Sequence, residues 1–247
     1  MQISPPFGYK HVVPFQKTHK VRLLAPGEAP EFVRQGGALP ISNSEFGPAG
    51  RHYPIVFIGD GKTYSAVAVV GITTNENLFV SDGRWAGDVY MPAYARRYPF
   101  CMAKVNVNQV EQQNRLICVE ESAIDESGEA MFDTGGKPTA KWQDFERLLS
   151  EYEADLERTR EMCATLSDYG LLEPFTMQAK LKPELGGAAL QLGGMHRVAE
   201  KNIENLNAAQ LKNLVRLGIM ARIYVHLLSL EHFGRLLDRR AAQIKAS

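Results

Sequence analysis

The segment Tyr90-Met91-Pro92-Ala93-Tyr94-Ala95-Arg96-Arg97-Tyr98-Pro99-Phe100 sets three tyrosines and a phenylalanine around two adjacent arginines. A guanidinium presents a planar fork of donors to a carboxylate or phosphate, and aromatic rings stack on guanidinium groups and on flat ligands. A second segment, Glu45-Phe46 followed by Arg51-His52-Tyr53-Pro54, repeats this mixture of aromatic and charged groups. Together with Trp85 the two segments define a candidate ligand or partner site made of Glu45, Arg51, His52, Tyr53, Trp85, Tyr90, Tyr94, Arg96, Arg97 and Tyr98. On this reading the ligand is a protein or a small acidic or planar molecule, and Arg97→Ala weakens binding without disturbing the fold. The competing reading is internal: the arginines pair with acids such as Glu45 or Asp88 while the rings fill a sheet–helix junction. A catalytic version of the same pocket would use His52 or Tyr98 for proton transfer and the arginines to orient a small anionic or aromatic substrate.

Other familiar chemistry lacks its spacing. The six histidines, His11, His19, His52, His196, His226 and His232, include no HExxH, HxH or HxD arrangement, so no metal site is expected. His226 and His232 are rotated by about 240° from one another on a continuous helix. No serine lies in a GxSxG elbow, and the pairs Gly36-Gly37, Gly135-Gly136 and Gly193-Gly194 match neither a P-loop nor a dinucleotide fingerprint, so no cofactor is expected. Cys101, Cys118 and Cys163 contain no CxxC pair and read as buried thiols.

Composition narrows the partners. In 247 residues, 28 Lys and Arg balance 28 Asp and Glu, which removes the basic surplus by which nucleic-acid binders attract phosphates. The opening Met1-Gln2-Ile3-Ser4-Pro5-Pro6 has none of the features of a signal peptide, so a cytoplasmic location is expected. The longest apolar run, Ala66 to Ile72, falls far short of the roughly 20 residues that span a bilayer. A monomer or a homodimer both fit.

The elements that must position these groups divide the chain. From Tyr9 to about Glu121, Pro and Gly punctuate short β-branched and aromatic runs. The clearest hairpin joins Pro54–Ile58 to Thr63–Val70 through Gly59-Asp60-Gly61, and a second pairs Cys101–Val107 with Arg115–Val119. Glu120 to Pro138 reads as an exposed connector. From Thr139, Trp142, Phe145, Leu149, Tyr152, Leu156, Thr159, Cys163 and Leu166 recur at spacings of three and four, predicting a long helix to Gly170. Its acidic positions, among them Glu153 and Asp155, would form a solvated face, and its seam is expected to pack on its own sheet rather than on a second copy. A β-hairpin is expected near 175–192, a helix capped by Asn207 and ending at Gly218, and one further helix from Ile219 to about Arg240. The predicted class is α+β, with an N-terminal curled antiparallel sheet (β-rich 9–121, connector 122–138) covered by a mainly helical part (139–240).

The order of these segments resembles the bacterial SapC family. The resemblance rests on Glu45-Phe46, Arg51 to Phe57, Gly71, Asn77 to Val80, Gly83-Arg84-Trp85, Tyr90 to Phe100, Leu116-Ile117-Cys118, Met131-Phe132-Asp133, Gly170 to Pro174 and Ile223 to Leu230. It extends over residues 9–238 as a single domain, with a small departure at Met195-His196, where the family tends to carry an aromatic residue. The family takes its name from association with a bacterial surface layer, and its members are often encoded near halogenase-like proteins, cupin-like proteins and outer-membrane receptors. The resemblance therefore implies an accessory role in surface modification or uptake. A transporter permease bearing the same letters is a membrane protein, which this sequence does not resemble.

Overall fold

Frequent Pro and Gly between short apolar runs favour hairpins over helices in the first half of the chain. A computed structural model, which describes residues 2–107, 110–111, 115–180, 187 and 189–246, has this character. The short strands β1 (Gln2–Ser4), β2 (Val12–Pro14) and β3 (Lys20–Val21) are followed by α1 (Glu31–Arg34), β4 (Ala38–Pro40) and α2 (Phe46–Gly50). The expected hairpin is β5 (Ile55–Gly59) and β6 (Tyr64–Val69), closed where Asp60 Oδ1 accepts the amides of Lys62 and Thr63 at 2.9 and 2.8 Å. Then come β7 (Val80–Ser81), β8 (Arg84–Trp85), α3 (Ala93–Arg96), β9 (Phe100–Val107), β10 (Val110–Glu111), β11 (Leu116–Glu120) and β12 (Glu129–Ala130). The second half contains α4 (Ala140–Asp168), β13 (Leu172–Lys180), β14 (Ala189–Val198), α5 (Ala208–Arg216), α6 (Ile219–Ser229) and α7 (His232–Ala246).

The class is α+β, with antiparallel sheets and C-terminal helices as expected. One sheet runs β1-β9-β11-β2 with β10 on β9, and the other runs β13-β14-β5-β6-β4. The C-terminal hairpin is longer than its sequence suggested and joins the N-terminal strands, with Met195 opposite Ile58 and His196 opposite Phe57. Part of the expected hairpin, residues 181–186 and 188, lies outside the described residues. Among the described residues no single helix is long and apolar enough to cross a membrane.

Helix α4 links the sheets. Thr139 caps it by accepting the Trp142 amide, and its seam packs on its own chain. Trp142 and Leu149 join Phe100, Val119 and Met131; Tyr152 joins Ala93 and Tyr94; Met162, Cys163 and Leu166 enter the largest cluster with β5 and β6. The acidic face departs from expectation at Glu153, which is largely buried between Arg97 and Arg115, and at Asp155, which is buried and accepts the Ser44 amide at 2.6 Å. Burial would raise its pKa, but hydrogen bonds from Ser44, Ser42 and Arg158 outweigh that and hold it below the usual carboxylate range.

Two further expectations are corrected. The connector is largely exposed, yet β12 pairs with β3, and Ala123 and Met131 are buried, so apolar anchors tie it down. The last helix is broken into α6 and α7 at Leu230-Glu231, because both sides of the break grip the loop before β5. Ser229 Oγ accepts the Ile55 amide at 2.9 Å and donates to the His226 carbonyl, while His232 Nε2 lies 2.9 Å from the Gly50 carbonyl. His226 Nε2 accepts the Val198 amide at 3.0 Å, so Nδ1 carries the proton and donates to the Ile55 carbonyl at 2.7 Å. Burial pushes the His226 pKa down to about 4. At the preceding elbow Gly218 has φ +71°, a left-handed conformation that lets α5 stop and α6 start at once.

Candidate functional site

Pro92 and Pro99 bracket α3, which is too short to bury both arginines, and the two side chains separate. Arg96 is exposed and Arg97 is only 2% exposed. The Arg97 guanidinium lies 4.2 Å from the Tyr94 ring centroid, 5.1 Å from that of Tyr152 and 5.5 Å from that of Tyr9. Its Nη1 is 3.6 Å from Glu153 Oε1, and Glu153 also binds Arg115. Three rings and a carboxylate thus replace the water that this cation loses on burial. The same burial raises the pKa of Tyr9 and Tyr94 and pushes the Cys101 thiol up to about 12.

Glu45 organises the neighbouring group. Its Oε2 accepts from Ser42 N–H and Oγ–H, both at 2.9 Å, and its Oε1 accepts from Tyr90 OH at 3.0 Å and the Ala93 amide at 2.6 Å. Arg96 Nη2 donates to Tyr90 OH at 3.0 Å, and Tyr53 OH donates to the Tyr90 carbonyl. Tyr53 is packed edge-on against Phe79 and Trp85. The two candidate segments therefore do meet, but not by the pairing expected: Arg96 reaches Glu45 only through Tyr90, and Arg97 pairs with Glu153. Burial, then the Glu45 charge, raises the Tyr90 pKa, and burial alone is the main cause for Tyr53.

The remaining candidates lie elsewhere. Tyr98 packs against Tyr9 at 5.6 Å and borders a recess of about 230 Å³ with Lys10, Glu31 and Glu120. His52 is half-buried beside Tyr53, and its pKa is lowered by burial and by His232. Arg51 is exposed. Neither His52 nor Tyr98 borders the cleft between the second sheet and α4, and among the described residues no cluster of three or more His, Cys, Asp or Glu could hold a metal.

A cleft of about 760 Å³, larger than the recess beside Tyr98, lies between the β4–β6 side of the second sheet and α4. Ala66 and Val67 of β6, Ala38 and Pro40 of β4, and Leu156 and Thr159 of α4 line it, so the surface is mainly apolar. Phe7, Tyr94 and Tyr152 supply rings, and Gln35, Ser65, Asn75 and Arg160 supply polar groups. Tyr152 is 3% exposed and its hydroxyl has no hydrogen-bond partner, an unsatisfied group of the kind that native interiors rarely leave. Gly8, at φ +82°, turns the N-terminal segment so that Phe7 reaches this cleft; a Cβ there would sit 2.3 Å from the Phe32 ring. Tyr94 OH fastens the segment by donating to the Phe7 carbonyl at 2.6 Å.

Of the ten sequence candidates only Tyr94 lines this cleft. The rest of its wall is mostly small or apolar and is drawn from residues between 7 and 160, which nothing in the local sequence joins. The one local signal is the small, apolar run beginning at Ala66, whose short side chains leave space beneath a helix carrying Tyr152 and Leu156. Comparison with known proteins returned no match among curated proteins or solved structures. The SapC family model, in contrast, matches residues 16–236, which takes in the second sheet, β9 and β11 of the first, the buried arginine and the cleft wall formed by β4, β6 and α4; the chain belongs to the SapC family.

Proposed function

We propose that this SapC-family chain is a non-catalytic binding protein whose small-molecule ligand occupies the cleft between β4, β6 and α4. The observation that carries this reading is the cleft itself. Its volume of about 760 Å³ lies within the range of ligand pockets, and its mostly apolar wall offers hydrophobic burial with a few polar groups to orient the guest. The Arg/aromatic segment supports the site from behind: Tyr94 forms part of the wall, while Glu45 and Glu153 hold α3 and Arg97 in place. The proton-transfer alternative is disfavoured because its candidates, His52 and Tyr98, lie outside the cleft. In this reading the protein is an accessory component that holds its ligand for a bacterial surface-layer or uptake system, a setting drawn from the family resemblance.

The test is titration with a neutral fluorescent naphthylamine, alongside Ser65→Trp. Ser65 is exposed on β6 and borders the cleft, so tryptophan there fills space without entering the core. Saturable one-to-one binding that Ser65→Trp abolishes, with the melting temperature kept, is the expected result. A probe that does not bind, or binds the variant equally, overturns the proposal.

A further inference from the structure

The cleft is continued by a second recess of about 300 Å³, and the two share Tyr94, Leu156 and Arg160 in their walls. Both have mainly apolar walls, but the second recess gathers more charge: four cationic residues, Arg97, Lys104, Arg115 and Arg160, border it against one carboxylate, Glu153. Glu153 is already engaged by both Arg97 and Arg115, so one carboxylate is shared between two cations. Arg160 is on the shared wall, half-exposed, and its ion-pair partner Glu157 lies outside the lining of both recesses. The N-terminal segment runs along both: Ser4, Pro5 and Pro6 border the basic recess and Phe7 borders the apolar cleft.

From this juxtaposition we infer that the ligand is a single-chain amphiphile with a small anionic head, its apolar chain in the cleft and its carboxylate or phosphate in the basic recess beside Arg160. The inference rests on the cleft reading above and specifies the chemical class of its occupant. A neutral apolar molecule would leave the excess positive charge uncompensated, whereas a compact anion without a chain would leave the larger apolar volume open to water. An elongated molecule polar at one end fits both recesses at once. Its head is recognised as an anion, so a carboxylate and a phosphate are both admitted.

The experiment is displacement of the neutral naphthylamine by dodecanoate, dodecan-1-ol and dodecyl phosphate at submicellar concentrations, using the full chain, Arg160→Gln and Arg160→Lys. We expect dodecanoate and dodecyl phosphate to bind at least about tenfold more tightly than dodecan-1-ol, the worth of one charge-assisted hydrogen bond. Arg160→Gln should bring the three ligands to within about twofold of one another by lowering only the anions' affinity, and Arg160→Lys should restore most of the gap. Equal binding of alcohol and anions to the wild-type chain overturns the anionic-head inference and leaves the cleft intact as a binding site. Failure of all three to displace a probe that Ser65→Trp excludes also overturns it. Failure of the naphthylamine itself to bind overturns both this inference and the reading on which it rests.

Discussion

The Arg97 cage and the apolar cleft share Tyr94 and Tyr152, yet they use polar atoms in opposite ways. Around Arg97 and Glu45 most polar groups are engaged within the chain: a guanidinium among three rings and a glutamate, with its Nε left without a hydrogen-bond partner, and a carboxylate accepting four hydrogen bonds. Across the Tyr152 ring the cleft is apolar and its buried hydroxyl unpartnered. Chemically rich residues are thus mostly structural here, and space for a guest opens where the side chains are plain. The general point is that a buried polar group is costly unless satisfied, so a cluster of them tends to satisfy itself, while apolar walls carry no such demand.

The largest expected effect comes from opening the cage. Arg97→Ala removes the partner of a mostly buried Glu153 and empties the space between three rings, and should cost about 3–5 kcal/mol in urea unfolding. A loss under about 1 kcal/mol would show that the cage is expendable and would return Arg97 to the ligand side. Burial thereby changes the expectation that Arg97 can be removed with the fold intact.

Acid probes another internally spent group. The folded pKa of His226, about 4, lies below its ordinary value of 6.5, so between those values the unfolded chain binds more protons than the folded one. Stability therefore falls as pH drops from about 6.5 towards 4, by about 3 kcal/mol from this group. His226→Gln should flatten that part of the stability profile; an unchanged slope would assign it to other residues.

Glu45→Gln tests whether the four accepted hydrogen bonds need a carboxylate. An amide keeps one acceptor oxygen and turns the other position into a donor facing donors, so a loss of about 2 kcal/mol is expected. An isothermal denaturation midpoint equal to wild type would remove Glu45 from the structural side of the comparison.

The smallest effect on stability is expected on the cleft side. Tyr152→Phe deletes a buried hydroxyl that has no partner, so stability should stay level or rise, within about 1 kcal/mol. Destabilisation well beyond that would mean that the hydroxyl serves the cage rather than the cleft.

Local signals read correctly where neighbours along the chain decide the outcome. Asp60 closes the β5–β6 hairpin, Thr139 opens α4, Asn207 caps α5 through a box with Gln210, and Gly218 ends it. The helical seam from Trp142 to Leu166 and the pairing of the segment starting at Cys101 with the one ending at Val119 fall in the same class, because spacing along the chain encodes a face. The family, too, could be recognised from the order of short segments.

What the sequence by itself determined is therefore the class, most element positions and the family. Only the tertiary structure decided that β14 joins β5, that α6 breaks from α7 to hold Ile55 and Gly50, that Arg97 turns inward while Arg96 turns out, and that α4 stands over β6 with a cleft between them. The physical reason is one of range. Caps, turns and amphipathic faces are set by residues within a few positions of one another, whereas the partner of Arg97 lies at Glu153 and the cleft wall runs from Phe7 to Arg160, joined only when packing brings them into one volume.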